Sequence, residues 1–174
     1  MPDDPVLRIP PLPESEWAPS LSSIRSGLQP VLNVHRVMAN HPELLVAWSP
    51  IRNHIATGGS LLPRHRELII LRVAHRAGSE YEWHHHVLRG RAVGLADHEI
   101  EALRAATPAG TSEEETSLLV ATDELFDGLS LSDSTWGALR VGFSLEQILD
   151  VIVTVGVYVT LAMVIGATGM SIEP

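Results

Sequence analysis

Apolar residues recur every three or four positions through most of the chain, and no stretch alternates convincingly over a strand's length. That period is helical, since a helix turns about 100° per residue. The pattern predicts short helices over residues 20–28 and 33–40, and a longer one from Pro42 to the Gly58-Gly59 pair. Two helices follow, opened by Pro63 and Ser79 and joined at Gly78. Asp97 caps a short helix that ends by Pro108. Ser112-x-x-Glu115 reads as a capping box for a helix over 111–129, with Leu118, Leu119, Thr122 and Leu125 as its buried stripe. Ser132 or Asp133 caps the next helix, through Trp136 and Leu139, and a last helix runs over 145–167.

The two ends depart from this rhythm. Residues 1–19 hold Pro2, Pro5, Pro10, Pro11, Pro13 and Pro19, a density that blocks helix, so they read as an extended arm lying over the surface or over a neighbouring subunit. Residues 20–174 then form one helical domain. At the other end, residues 151–170 carry no charge over twenty positions, which meets the length rule for a membrane span. The stretch has no Lys/Arg flank, and Gly156, Gly166 and Gly169 leave small surfaces suited to helix contacts. A buried helix is therefore expected, apolar all round and covered in part by a second subunit, with no membrane contact.

Composition narrows the function classes. The net charge is −9 and all twelve basic residues are Arg, which argues against nonspecific binding to nucleic acid or anionic membranes. There is no cysteine, so thiolate chemistry, disulfides and Cys-ligated zinc are excluded. The acidic, proline-broken start shows no signal peptide, and a cytoplasmic location is expected.

The chemistry concentrates in residues 63–94. On the first of these helices Glu67 falls in the apolar sector with Ile70, Leu71 and Ala74, while His65, Arg72 and Arg76 fall on the other side. A carboxylate in an apolar stripe is costly unless paired or protonated. On the second helix Glu82 and His86 are four apart and share a face, with Arg89 and Val93 continuing the stripe. A carboxylate beside an imidazole permits proton transfer near neutral pH. Ser79-x-x-Glu82 also fits a capping box, the plainer explanation of Glu82. His35 and His54 are candidates to face a cavity, although exposed or capping roles are the simpler expectation.

The run RELIILRVAHRAGSEYEWHHHVLRGRAVGL resembles the core of the carboxymuconolactone decarboxylase family, which includes the alkylhydroperoxidase D-like (AhpD-like) proteins. The resemblance rests on R-E-L-x-I-L-R-V-A, then E-Y-E-W-x-x-H, then G-L-x-x-x-E-I. It implies an all-α, AhpD-like helical bundle that assembles as a dimer, trimer or hexamer. In the peroxidase branch a Cys-x-x-Cys opens the second helix. Here Ser79 and Glu82 stand at those positions, while Glu67 and His86 match the branch's proton-relay residues. The chain has the E-W-x-x-H form of the decarboxylase-like branch. Many relatives with a similar arm carry His after the tyrosine of the last helix, where this chain has Val159 after Tyr158.

The residues and the resemblance together point to a cofactor-free lyase, or an isomerase or cyclase, acting on a small carboxylated lactone or related organic acid. Glu67, Glu82 and His86 are the expected catalytic residues, with His86 as imidazolium the acid. Tyr81, Trp83, His85 and Arg72 are the expected substrate contacts, with Arg76 and Arg89 as other guanidinium candidates for a substrate carboxylate. No metal is expected, because consecutive His84, His85 and His86 diverge around a helix and Glu82-x-x-His85 occurs only once. A metal-binding or non-catalytic oligomer of the same fold is the alternative, and a thiol peroxidase lacks its thiol.

Overall fold

A computed structural model of the chain describes residues 6–28 and 30–173. Among them are nine α-helices and no strand: α1 (Ser22–Gly27), α2 (Asn33–Met38), α3 (Pro42–Asn53), α4 (Pro63–Arg76), α5 (Glu80–Ala92), α6 (Asp97–Ala102), α7 (Glu113–Gly128), α8 (Asp133–Gly142) and α9 (Leu145–Thr168). Contacts group the chain into two compact units, residues 1–57 with 163–174, and residues 58–162.

In the first unit the arm packs on its own chain. Arg8 donates its backbone N–H to the Thr168 carbonyl at 2.8 Å and its guanidinium to Ala167, also at 2.8 Å. Leu12 N donates to Arg36 O at 3.0 Å, and the Trp17 indole donates to Leu12 O at 3.1 Å. These bonds give an extended segment the partners its own backbone lacks. Proline density excludes α-helix but not tighter turns, so Glu14–Glu16 and Pro19–Leu21 are 3₁₀ turns, a correction to a wholly extended arm. Pro2 and Pro5 lie outside the described residues. Helix α3 runs past Pro50 into a π turn over His54–Gly58. His35 is buried and borders a cleft of about 240 Å³ with Trp48 and Arg52, and its Nδ1 accepts from Leu32 N at 3.1 Å as a cap. His54 is exposed.

The second unit is built around α4. Leu68, Ile69, Leu71 and Val73 are within 2% of full burial, packed with Leu118, Leu119, Ala121 and Leu125 of α7 and with Ile148, Val151 and Val155 of α9. Helix α4 touches α5 on one side and α7 on another. Two covered sides explain why His65 and Arg72 are buried although they fall outside the apolar sector that holds Glu67. Arg72 instead clamps the unit. Its Nε and Nη2 reach the two Asp123 oxygens at 2.7 and 2.8 Å, and Nη1 donates to the carbonyls of Leu103 and Ala105 at 2.6 and 2.8 Å. Arg72 is 1% exposed and four of its five N–H donors are engaged, so it is out of a substrate's reach and leaves the substrate-binding set.

Gly78, at φ +63°, reverses the chain between α4 and α5, and Ser79 N bonds back to Ala74 O at 2.9 Å, the closing bond of a glycine-capped helix end. Ser112 caps α7 through Glu115 N at 3.1 Å. The Glu115 carboxylate is pinned by side chains from two directions. It takes Arg64 Nε at 2.7 Å and the Thr111 hydroxyl at 2.6 Å, and although burial pushes it up, these bonds hold it down at about 2. At α6 the cap is Ala96 rather than Asp97, with Glu99 reaching back to Ala96 N at 2.8 Å. Ser132 caps α8.

Helix α9 is long and apolar enough to cross a membrane by length and composition, yet only 33% of its most apolar window is buried within this chain. Leu145 is 53% exposed and Leu149 61%, with Val153 exposed one turn on, so the expectation of cover on all sides is not met by the chain alone.

Candidate functional site

Helices α4 and α5 present one charged constellation inside the second unit. Glu67 is 2% exposed and His86 4%. His86 Nδ1 lies 2.6 Å from Glu67 Oε2, a buried, charge-assisted hydrogen bond. Glu67 Oε1 accepts from Arg66 Nε at 3.3 Å. On the far side of the ring Arg89 Nη1 stands 3.1 Å from His86 Nε2. Tyr158 of α9 closes the ring's flank edge-on, with centroids 5.1 Å apart.

The donors fix the protonation pattern. A guanidinium can only donate, so Nε2 must accept from Arg89 and Nδ1 carries the hydrogen that Glu67 accepts. The imidazole is then neutral. Its energetics agree: burial pushes His86 below its ordinary range, Arg89 and His85 add to this, and the Glu67 bond opposes without reversing it. For Glu67, burial pushes upward, but the bond from His86 and the positive charges of Arg66 and Arg89 hold the carboxyl below its ordinary value, and so ionised. A neutral His86 corrects the expectation of an imidazolium acid.

Glu82 is a separate case. It is 4% exposed, and neither carboxyl oxygen has a hydrogen-bond partner. The expected capping box is absent, because the Ser79 hydroxyl is equally unpartnered. Burial raises the Glu82 carboxyl to about 7; the nearby Ser79 hydroxyl opposes the rise without reaching hydrogen-bond geometry. An unpaired carboxyl in a dry setting keeps its proton, so Glu82 is the group of this helix that holds an exchangeable acid near neutrality. No hydrogen bond joins it to Glu67 or His86.

The remaining expected site residues divide. Tyr81 is buried and meets the half-buried His85 edge-on at 4.6 Å. Trp83 packs away from His86: the Arg104 guanidinium covers its face at 4.0 Å and His75 meets its edge at 6.2 Å. Arg76 is bound to Asp123 at 2.7 Å and also to Asp127. Arg89, three residues after His86 on the Glu82–Val93 stripe, is the guanidinium at the ring, and its helical position was the signal that could have singled it out. Tyr158 had no such signal, since it is distant in sequence. Among the described residues no group of three or more His, Cys, Asp or Glu converges as a metal site would require.

Comparison with known proteins bears on the fold. No curated protein matches the sequence. Several solved structures share the fold. An uncharacterized peroxidase-related protein with an alkylhydroperoxidase AhpD core, from Ralstonia eutropha JMP134, superposes with a TM-score of 0.82 at 16% identity, covering 96% of this chain and 93% of that one. A peroxidase-related protein from Silicibacter sp. TM1040 gives a TM-score of 0.79 at 21% identity, over 98% and 93% of the two chains. A cysteine-to-alanine variant of the debrominase Bmp8, in complex with 2,3,4-tribromopyrrole, gives 0.79 at 18% identity, over 95% and 91%. The fold is AhpD-like, and residues 42–124 match the model of the carboxymuconolactone decarboxylase family.

Proposed function

We propose that the protein is a cofactor-free lyase or isomerase that moves protons on a small carboxylated lactone or related organic acid. The buried 2.6 Å bond between Glu67 and His86 carries this reading. It holds an ionised carboxylate against a neutral imidazole, the arrangement of a general base whose conjugate acid is stabilised in place. In an isomerisation, His86 Nε2 takes a proton from carbon next to a carbonyl, the electron pair passes into the enolate, and the proton returns at another carbon. Glu67 stabilises the transient imidazolium. In a decarboxylation the bond to the carboxylate breaks, CO₂ leaves, and the pair passes into the unsaturated lactone as a dienolate. That carbon then needs one proton, which Glu82, neutral up to about pH 7, is suited to give and to regain from water. The family segment supports the choice of substrate, and the debrominase of similar fold, solved with a small ring compound, supports a ligand of that size.

The test is turnover of carboxylated lactones, followed by CO₂ release and by solvent deuterium incorporation. His86→Ala and Glu67→Gln are expected to abolish both with far-ultraviolet circular dichroism unchanged, while Glu113→Gln leaves them intact. Equal activity in all three variants would refute the assignment.

A further inference from the structure

The base in this site is covered. His86 has one lone pair for proton abstraction, at Nε2, and Arg89 Nη1 occupies it at 3.1 Å. Arg89 is a weakly anchored cover. It is exposed, and among the described residues its guanidinium hydrogen-bonds to His86 alone and forms an ion pair with no carboxylate. Glu67 makes no hydrogen bond to it, since its two oxygens are served by Arg66 and His86, and feels Arg89 only through its charge. The other guanidiniums of α4 and α5 are all tied to carboxylates: Arg64 to Glu99 and Glu115, Arg66 to Glu67, Arg72 and Arg76 to Asp123, and Arg91 to Asp97. An exposed arginine that lacks a carboxylate is ready to take one, and the bidentate fork it would form is stronger than a single bond to a neutral ring.

We infer that Arg89 is an anion-operated cover on the base: a substrate carboxylate draws the guanidinium off His86 Nε2, and only then is the lone pair free to accept a proton. This rests on the proton-transfer reading of Glu67 and His86 and adds the class of molecule that switches it on, small organic carboxylates. Neutral analogues of the same shape leave Arg89 on the ring and the base masked. The cover is a positioning and specificity device. Its signature is the protonation behaviour of His86, which is faced by Glu67 from α4 (itself bonded to Arg66), by Arg89 and His85 from α5, and by Tyr158 from α9.

Long-range proton–nitrogen spectra of histidine-labelled protein read that signature directly, with the His86 signals assigned by their loss in His86→Asn. In Arg89→Gln the His86 midpoint is expected to rise by about one pH unit, because a positive neighbour has gone. In the wild type, acetate, benzoate and succinate at constant ionic strength are expected to move the Nε2 resonance saturably toward its Arg89→Gln position. Benzamide is expected to leave it in place. Arg89→Lys should retain part of the response. The inference is overturned if Arg89→Gln titrates like the wild type, or if no carboxylate moves the Nε2 signal. Neither readout involves turnover, so an inactive protein with a responsive His86 would sink the proposed reaction and leave the cover standing.

Discussion

Replacing Glu82 by Gln should change the pH dependence of stability more than stability itself. In the folded protein this carboxyl is raised from an ordinary 4.5 to about 7, with burial the dominant cause. Between those pH values the folded chain keeps a proton that the unfolded chain has released. Stability from this group is therefore fully present below pH 4.5 and falls as pH rises toward 7. At about 1.4 kcal/mol per pH unit the full loss is about 3 kcal/mol, of which about 2.5 kcal/mol falls between about pH 5 and pH 8. His86 and His75, both lowered chiefly by burial, act with the opposite sign: their contribution is present above pH 6.5 and lost as pH falls below it. The wild-type curve mixes these trends, so the informative quantity is the difference between the two proteins. Urea denaturation at about pH 5, 6, 7 and 8, followed by circular dichroism, should show Glu82→Gln gaining on the wild type by about 2.5 kcal/mol across the series. The Gln amide lacks partners as the carboxyl does, which offsets the whole curve but not its slope. A difference flat to within about 0.5 kcal/mol would mean that the carboxyl is hydrated or paired in solution, and its role as a proton store would fall with it.

Other consequences are as direct. Arg72→Met should destabilise by about 3 kcal/mol, at the lower end for a broken buried ion pair because Arg76 still neutralises Asp123; a loss under about 1 kcal/mol in the same urea assay would contradict the clamp. Leu129 is 88% exposed and sits at φ 54°, a left-handed helix end that suits glycine, so Leu129→Gly should raise stability by about 1 kcal/mol, read as a higher thermal midpoint. Ser132→Ala removes the acceptor of Thr135 N at 3.2 Å and should lower stability by about 1 kcal/mol, while Ser134→Ala should do much less.

The parts of the fold that could be read from sequence are those set by local chemistry. Pro63, Gly78 and Ser79 mark the α4–α5 turn because each fixes a backbone conformation or a helix end within a few residues. The Glu67–His86 contact was within reach because a carboxylate in an apolar stripe needs a partner. Arg72 was misplaced because a helical wheel assumes one buried face, whereas α4 has α5 and α7 on different sides. Glu82 looked like a cap because the capping-box spacing is satisfied by sequence whether or not the side chain turns toward the backbone. The protonation state of His86 could not be foreseen, since it depends on Arg89 reaching the second ring nitrogen. Tyr158 arrives from α9, seventy-two residues after His86, where no local pattern reports it.

The Ser79 hydroxyl and the Glu82 carboxyl are both buried and unbonded, one helical turn apart at the head of α5. Neither group can shuttle electrons. With no cysteine in the chain, thiol-blocking reagents find nothing to modify at these two positions, and the group there that answers to its surroundings is the Glu82 carboxyl, through ambient acidity.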